Sequence, residues 1–350
     1  MSVFDHKEFD NHEQVAFFSD KQTGLQAIIA VHNTNLGPSL GGCRMWPYAD
    51  SAEALNDVLR LSRGMTYKAA MAQLKLGGGK AVILGDPRKH KSPEMMRAMG
   101  RFVEQMGGRY ITAEDSGIAV SDIKLMGEST QHISGVSAKY RYDGGEADGN
   151  PAPSTAFGVF TGLKASVEYA LKTDLKGVRV AVQGLGHVGY RLAKHLHEHG
   201  AKLFVTDIYE DSIARAVEEF GAVAVAPRDI FDAEVDVYAP CAMGASINHN
   251  TIERISAKVI AGAANNQLAE ESLGEVLRQK GVLYAPDYVI NAGGVIDIYH
   301  QRMLSTAEAM RAHIEGIADT LLEIYTRSEQ NQQPTNVVSN SIAEERFLTE

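Results

Sequence analysis

A lysine that follows three glycines is the first candidate for chemistry in this sequence. Residues 76–81 read LGGGKA, so Lys80 comes directly after a run without side chains. The run is not a phosphate-binding P-loop, because no glycine stands five residues before Gly79 and Ala81 occupies the position that requires Ser or Thr. We expect the glycines to let a substrate approach the ammonium group closely. Burial would favour the neutral amine, which is a usable general base.

A second lysine and an aspartate complete a catalytic set. Lys68, in the segment GMTYKAA, lies twelve residues before Lys80, and a lysine that stays protonated could bind the carboxylate of an amino or keto acid. Asp115, in AEDSG, follows the predicted strand 109–112, where a carboxylate could move protons to and from an amine. The alternative for each lysine taken alone is an ordinary solvated surface charge.

A glycine-rich turn in the second half of the chain predicts a dinucleotide site. It stands between a strand-like run and a helix-like run. Such glycines serve a tight turn, a close approach of the backbone to pyrophosphate and close packing of helix on strand, and the helix N-terminus meets the phosphates. The turn consists of Gly184, Leu185, Gly186, His187, Val188 and Gly189.

An aspartate after the next predicted strand bears on the choice of cofactor. Asp207 lies 23 residues after Gly184. Its carboxylate could accept hydrogen bonds from a ribose 2′-OH and would repel a 2′-phosphate, so the sequence favours NAD over NADP. The alternative is an ordinary tight turn between strand and helix with a solvated aspartate.

The second half of the chain alternates between strand-like and helix-like patterns. Continuous apolar strands that alternate with helices indicate a parallel sheet covered on both faces. The predicted strands are 178–183, 202–206, 222–226, 235–239, 258–262 and 282–285. The predicted helices between them are 187–199, 210–220 and 268–280. We expect residues 303–328 to form one long helical stretch that crosses back to the first domain.

The first half of the chain is predicted to be a mixed α/β region. Residues 51–64 indicate an amphipathic helix with a serine cap, and residues 93–106 a helix that begins at Pro93, which suits a first-turn position. The predicted strands are 26–32, 81–84 and 109–112.

A polar segment rich in Gly and Pro, residues 137–153, predicts a domain boundary. The expected fold class is α/β with two domains separated by a cleft. An N-terminal α/β domain for substrate binding and oligomerisation would cover 1–136 and about 328–350. A Rossmann-type, doubly wound NAD-binding domain would cover 150–327, and 137–149 would form a hinge loop.

Composition excludes several classes of protein. The net charge of -10 over 350 residues argues against nucleic acid and anionic membranes as partners. Two cysteines cannot build a disulfide framework, and the sequence shows neither a signal peptide nor a long apolar run, so we expect a cytoplasmic protein. His195 and His199 lie one helical turn apart, but HExxH and a third ligand are lacking. We therefore predict no metal site.

Seven motifs, taken together and in order, resemble the Glu/Leu/Phe/Val dehydrogenase superfamily, and within it most closely the leucine dehydrogenase family. The similarity runs over nearly the whole chain. The motifs are LGPSLGGCRMWPY (36–48), RGMTYKAA (63–70), LGGGKAVI (76–83), TAEDSG (112–117), VQGLGHVG (182–189), AGAANNQL (261–268) and APDYVINAGGVI (285–296).

The resemblance implies roles for individual residues. The first domain would bind substrate and the second NAD, with Lys80 as the catalytic lysine, Asp115 assisting proton transfer and Lys68 holding the substrate carboxylate. Further substrate-binding residues would be Leu40, Gly41, Gly42, Met65, Ala113, Asn265, Val295 and Ile298. Besides the turn 184–189 and Asp207, the cofactor would contact Ser134, Thr155, Cys241, Ala242, Asn265 and Asn291.

The implied reaction is the reversible, NAD-dependent oxidative deamination of branched-chain L-amino acids to 2-oxo acids and ammonia. The positions that match the family's side-chain pocket are aliphatic, which favours leucine, isoleucine and valine. One alternative is a phenylalanine or tryptophan dehydrogenase of the same family, and another is a catalytically silent NAD-binding regulator. The resemblance also implies a homo-oligomer, an octamer in many family members.

Overall fold

The computed structural model describes residues 3–136 and 151–348, and the chain divides into two compact units. The first unit comprises Met1–Ala138 and Ala343–Glu350, and the second comprises Lys139–Ile342. The chain returns to the first unit at Ala343, later than the predicted position near residue 328. The predicted hinge loop at 137–149 lies outside the described residues.

The first unit contains a mixed five-stranded sheet. Its order is β1-β2-β4-β3-β5, in which β2 is antiparallel to β1 and β4, while β3 is parallel to β4 and β5. The strands are β1 (Gln14–Asp20), β2 (Leu25–Asn33), β3 (Ser39–Trp46), β4 (Gly77–Leu84) and β5 (Tyr110–Ala113). The three predicted strands are confirmed, whereas β1 and β3 were not predicted.

Helices cover both faces of this sheet. They are α1 (Ser51–Met71), α2 (Pro93–Gln105) and α3 (Val120–Met126). Val58 and Leu59 of α1 pack on one face, and Met99 of α2 and Ile123 of α3 belong to the core on the other. The predicted start of α2 is confirmed. The serine cap of α1 was wrong, because the Asp50 side chain accepts hydrogen bonds from the first backbone N–H groups of the helix.

The second unit contains a six-stranded parallel sheet. Its order is β11-β10-β9-β6-β7-β8. The strands are β6 (Arg179–Gln183), β7 (Lys202–Thr206), β8 (Val223–Ala224), β9 (Val237–Pro240), β10 (Val259–Ile260) and β11 (Leu283–Tyr284). All six predicted strands are therefore present. Strands β6, β7 and β8 follow one another toward one edge of the sheet, and β9, β10 and β11 toward the other edge. This is the doubly wound Rossmann order, with its switch point between β6 and β9.

Helices α4 to α12 complete the second unit and the C-terminal end of the chain. They are α4 (Ala152–Leu171), α5 (Gly189–Glu198), α6 (Glu210–Phe220), α7 (Leu273–Gln279), α8 (Asp287–Ile290), α9 (Gly293–Arg302), α10 (Ala307–Glu315), α11 (Ile317–Asn331) and α12 (Thr335–Phe347). Among the described residues, no helix has the length and apolar character needed to cross a membrane.

The prediction of one long helix at 303–328, crossing back to the first domain, was wrong. The segment forms two helices that meet at Gly316, a residue type with low helix propensity. Helix α11 stays within the second unit and packs against α4, where the Tyr325 hydroxyl lies 2.7 Å from Ser166 Oγ. Its apolar face is therefore buried against a helix of the same unit.

Candidate active site

A buried ion pair joins Lys80 and Asp115 in the first unit. Lys80 lies on β4 with 7% of its surface exposed, and its Nζ donates to Asp115 Oδ2. Asp115 follows β5 by two residues, and its Oδ1 accepts from the backbone N–H of Ser116 at 2.7 Å. The topology thus brings together two residues that are 35 positions apart in the chain.

Neighbouring charges control the protonation of Asp115. Burial alone would raise the pKa of this carboxyl, but the positive charges of Lys80 and Arg44, with hydrogen bonds from Lys80 and Ser116, lower it to about 2. Asp115 is therefore an anion at neutral pH. An anion beside a buried lysine can receive a proton during a reaction and pass it on.

Arg44 is a site residue that the sequence did not reveal. It lies on β3, with Nε 3.4 Å from Asp115 Oδ2 and Nη1 2.9 Å from Asp57 Oδ2. The Tyr48 hydroxyl also donates to Asp57 Oδ2, at 2.7 Å. The one available signal was the position of Arg44 two residues after Gly42, which puts both on the same face of a strand.

The three glycines before Lys80 have a different role from the predicted one. A Cβ on Gly78 would lie 2.0 Å from the backbone N of Thr66 on α1, so the glycine lets α1 lie directly on β4. A Cβ on Gly77 would lie 2.0 Å from Asn33 O, and one on Gly79 would lie 2.6 Å from Ser39 Oγ. The prediction that these glycines open a path for substrate was wrong, because the protein itself fills the space.

Helix α1 places the second lysine above the same face of the sheet. Side chains alternate along a strand, so Gly78, Lys80 and Val82 share one face of β4, and Val82 packs with residues of α1. Lys68 lies on α1, two residues after the Thr66 that touches Gly78, and is half-buried. Met65 is also half-buried on this helix.

The other predicted substrate residues of the first unit are part of strands β3 and β5. A Cβ on Gly41 would lie 1.7 Å from Gly79 O, and one on Gly42 would lie 2.7 Å from Asp115 Cβ. Leu40 pairs with Gly78 across the sheet, and Gly42 pairs with Ala113. Gly42 therefore lies against Asp115, and the two glycines allow the strands and the Asp115 loop to come close.

Cys43 is a further buried group on β3. Its side chain belongs to the core between the sheet and α2, on the opposite face from Arg44. Burial raises the pKa of this thiol well above its usual range. The thiol is therefore protonated and shielded from water.

The glycine-rich turn of the second unit has the geometry of a dinucleotide-binding loop. Gly184 has a positive φ of 98°, and a Cβ on Gly189 would lie 1.9 Å from Gly184 O, so both positions require glycine. A Cβ on Gly186 would meet no atom within 4 Å. Leu185 is buried, His187 is exposed and Val188 immediately precedes α5. The open space at Gly186 fits a backbone that receives a pyrophosphate.

The ends of three neighbouring strands meet at this turn. Asp207 follows β7, and its Oδ2 accepts from the backbone N–H of Leu185 at 2.5 Å. Cys241 and Ala242 follow β9, and Ala242 Cβ would lie 2.8 Å from a Cβ on Gly184. The turn thus lies at the switch point of the sheet, where ligands of this fold class bind. Its open backbone and the adjacent carboxylate fit a nicotinamide dinucleotide.

Two asparagines predicted at the site contact each other. Asn291 Nδ2 donates to Asn265 Oδ1 at 2.7 Å and to Ala263 O at 3.1 Å. Asn291 Oδ1 is buried and has no hydrogen-bond partner in the described chain, so this amide retains an acceptor. Val295 and Ile298 follow on α9, the first buried and the second half-buried.

Two further residues predicted to contact the cofactor belong to different units, Ser134 to the first and Thr155 to the second. The backbone N–H of Ser134 donates to Thr112 O at 2.8 Å, beside β5 in the first unit. Thr155 is in the first turn of α4, with its hydroxyl donating to Pro151 O at 3.0 Å. A Cβ on Gly294 would lie 2.8 Å from that hydroxyl, which places Thr155 against the start of α9.

Family models and whole-chain relatives agree with this geometry. Residues 12–132 match the dimerisation domain of the Glu/Leu/Phe/Val dehydrogenases, and residues 144–208 and 206–348 match the Glutamate/Leucine/Phenylalanine/Valine dehydrogenase model. A leucine dehydrogenase of Thermoactinomyces intermedius is 51% identical over 348 residues, which are 99% of this chain and 94% of that protein. A phenylalanine dehydrogenase of Caldalkalibacillus thermarum is 46% identical, with 99% and 94% covered.

A solved structure shows the same fold over the whole chain. The crystal structure of L-tryptophan dehydrogenase from Nostoc punctiforme superposes with a TM-score of 0.85 at 43% identity, covering 97% of this chain and 96% of that one. The chain therefore belongs to the Glu/Leu/Phe/Val family of NAD(P)-dependent amino-acid dehydrogenases.

Proposed function

We propose that this chain catalyses the reversible, NAD-dependent oxidative deamination of L-leucine and other branched-chain L-amino acids to 2-oxo acids and ammonia. The observation that carries the proposal is the buried Lys80–Asp115 pair, within a chain that is 51% identical to a leucine dehydrogenase over almost its full length. A desolvated lysine beside a fixed carboxylate suits the proton transfers of this reaction.

Three charged residues of the first unit have a task in the proposed reaction. Lys68 binds the substrate carboxylate and so fixes the position of the Cα. Bound NAD supplies the hydride acceptor for that carbon. Lys80 removes a proton from the water that attacks the resulting imino acid. Asp115 exchanges protons with the departing amine, which leaves as ammonia.

Asp207 supports NAD rather than NADP as the cofactor. Its carboxylate lies against the glycine-rich turn, as the hydrogen bond to Leu185 shows. A 2′-phosphate placed there would be repelled by the carboxylate, whereas a 2′-hydroxyl could donate to it. We propose that Gly184, Gly186 and Gly189 form the remaining cradle for the dinucleotide.

The substrate preference is proposed from four aliphatic side chains. Leu40 and Ala113 in the first unit, and Val295 and Ile298 in the second, carry no group that could recognise a charged or polar side chain. In an aliphatic pocket, one methylene more or less in the ligand changes the free energy of binding by about 1–3 kcal/mol. Isoleucine and valine should therefore also react.

A panel of L-amino acids tests the proposal directly. NADH formation is followed by absorbance at alkaline pH with the full-length protein, with leucine, isoleucine, valine, phenylalanine, tryptophan and glutamate as substrates. We expect the highest kcat/KM with leucine. Preference for an aromatic substrate would replace the branched-chain assignment, and absence of turnover with every substrate would leave an NAD-binding regulator as the interpretation.

We also propose a homo-oligomer that acts in the cytoplasm. The match of residues 12–132 to a dimerisation domain supports self-association, and the two free cysteines suit a reducing compartment. Light scattering coupled to size-exclusion chromatography would give the mass of the assembly. A mass of 37.9 kDa, that of one chain, would contradict the proposed assembly.

A further inference from the structure

The charge network at Lys80 continues past Asp115 and ends on helix α1. Arg44 lies between two carboxylates, with Nη1 2.9 Å from Asp57 Oδ2 and Nε 3.4 Å from Asp115 Oδ2. The side chains of Arg44 and Asp57 are 24% and 15% exposed. Water therefore screens the guanidinium only in part, and its charge acts on both carboxylates.

The Nε–H group of Arg44 is a hydrogen-bond donor that the structure leaves unsatisfied. It is buried and makes no hydrogen bond within the described chain. A buried donor without an acceptor is unfavourable, and more so when it belongs to a charged group. Because Asp115 Oδ2 is 3.4 Å away, a small rotation of that carboxylate would form the missing hydrogen bond.

We propose that Arg44 is a positioning residue that keeps the Asp115 carboxylate in place and ionised at the stage of the reaction when Lys80 is neutral. The inference rests on the proposed function, in which Lys80 changes between its protonated and neutral forms. Asp115 Oδ2 faces two cations in the structure, Lys80 and Arg44. When Lys80 gives up its proton, Arg44 remains charged, because a guanidinium does not deprotonate in proteins.

Asp57 fixes the other side of the guanidinium. Besides Arg44, it accepts a hydrogen bond from the Tyr48 hydroxyl at 2.7 Å and from Arg60 Nη2 at 3.1 Å. Asp57 itself lies in the middle of α1, the helix that carries Lys68. Arg44 therefore cannot turn away from Asp115 without losing its hydrogen bond to a residue of the substrate-binding helix.

The pH dependence of this site has a limited set of contributors. Every element packed around Arg44 and Asp115 supplies at least one titratable or charged group. They are Cys43 on β3, Tyr48 after β3, Glu53, Asp57 and Arg60 on α1, Lys80 on β4 and Tyr110 on β5. Of these, Lys80 and Arg44 are the two cations next to Asp115.

Arg44→Gln tests the proposal, since glutamine removes the charge but can still donate a hydrogen bond to Asp57. Without Arg44, Asp115 loses one of its two neighbouring cations and binds a proton more readily. The protonation state in which Asp115 is ionised therefore moves to higher pH. We expect the acid limb of the pH profile of kcat/KM for leucine to rise by at least about half a pH unit, and kcat to fall about 10- to 100-fold.

Two matched variants separate charge from structure. Arg44→Lys keeps a positive charge but cannot contact both carboxylates as a planar fork, so the acid limb should stay near that of the wild type while kcat falls. Arg60→Gln removes an arginine from the other oxygen of Asp57, Oδ1. It should leave the acid limb unchanged.

An acid limb that does not move in Arg44→Gln, or one that moves equally in Arg60→Gln, would overturn the role of Arg44. If circular dichroism shows that Arg44→Gln is unfolded, Arg44→Lys decides, and a wild-type kcat there would overturn it too. An inactive wild-type enzyme would remove the proposed function together with this inference. An active wild type with an unmoved limb would remove the inference alone.

Discussion

The glycines of strand β4 and Gly186 of the turn 184–189 solve opposite problems. On β4, a Cβ on Gly77 or Gly78 would lie 2.0 Å from another backbone or side-chain atom, and one on Gly79 2.6 Å from Ser39 Oγ. At Gly186, a Cβ would meet nothing within 4 Å. The β4 glycines let the protein pack against itself around Lys80, as Gly184 and Gly189 do within their turn, whereas Gly186 leaves room for a ligand. Glycine-rich motifs therefore differ in function according to whether protein atoms or a ligand fill the space where a side chain would lie.

The largest expected effect separates the chemistry of the first region from the binding of the second. Lys80→Ala should lower kcat by about 10³-fold or more, because the general base is lost. NADH binding, measured by fluorescence, should be nearly unchanged, because the glycine-rich turn belongs to another unit. Lys75→Ala, which alters an exposed lysine of the same segment, serves as the control. Retained activity in Lys80→Ala would show that another group is the base.

A pair of identical substitutions tests the comparison itself. Gly78→Ala should lower the free energy of unfolding by about 3 kcal/mol, because the new Cβ would lie 2.0 Å from Thr66 N and must displace α1 or β4. Gly186→Ala should cost less than about 0.5 kcal/mol. It should instead weaken NADH binding by about tenfold, because a methyl group occupies the space for pyrophosphate. Urea unfolding and NADH titration measure both quantities, and equal destabilisation by the two variants would refute the distinction.

The packed region should also respond to acid. The pKa of Asp115 is about 2 in the folded protein, below its usual value of 3.8. The ionised carboxylate therefore stabilises the fold above about pH 4, by about 2 kcal/mol, and this contribution is lost as the pH falls from about 4 to about 2. In Asp115→Asn, the free energy of unfolding should depend less on pH in this range. An identical pH dependence in the variant and the wild type would contradict the assignment.

The smallest expected effect concerns the choice of cofactor at the turn 184–189. Asp207→Ser should reduce the preference for NAD over NADP by about tenfold, because the charge that repels a 2′-phosphate is removed while a hydroxyl remains to bond the turn. Steady-state kinetics with both cofactors and leucine give the ratio. If the ratio stays as in the wild type, Asp207 only holds the N–H of Leu185.

Local patterns were sufficient for much of the second unit. Strands β6, β9 and β10 are largely buried and appear as continuous apolar runs, and the glycine turn follows the first of them. The short strand β8 is exposed. Strand β3 was missed because Gly41 and Gly42 interrupt its apolar pattern, and β1 because it is a half-exposed edge strand. The predicted long helix failed at Gly316, where two helices meet without a strong breaking signal.

The candidate site shows the same limit at the level of single residues. Lys80, Lys68 and Asp115 stand in recognisable motifs, so their types and order were informative. Arg44 reaches Asp115 because β3 lies beside β5, the strand that Asp115 follows, and it reaches Asp57 because α1 packs on that face of the sheet. Such a contact depends on strand order and helix packing, which no spacing in the sequence expresses. The need for glycine at position 78 also depends on this packing, because α1 fills the space beside Gly78.

Cys43 gives this sheet a built-in chemical probe. Alkylating reagents attack the thiolate, and the native thiol of Cys43 is neither ionised nor reachable by solvent. Modification therefore requires that α2 and the sheet separate for long enough to admit the reagent. When Cys241 is replaced by serine, Cys43 is the remaining thiol, and its rate of alkylation measures how often the structure opens. The rate of Cys43 alkylation thus measures how often the structure around the strand that carries Arg44 opens.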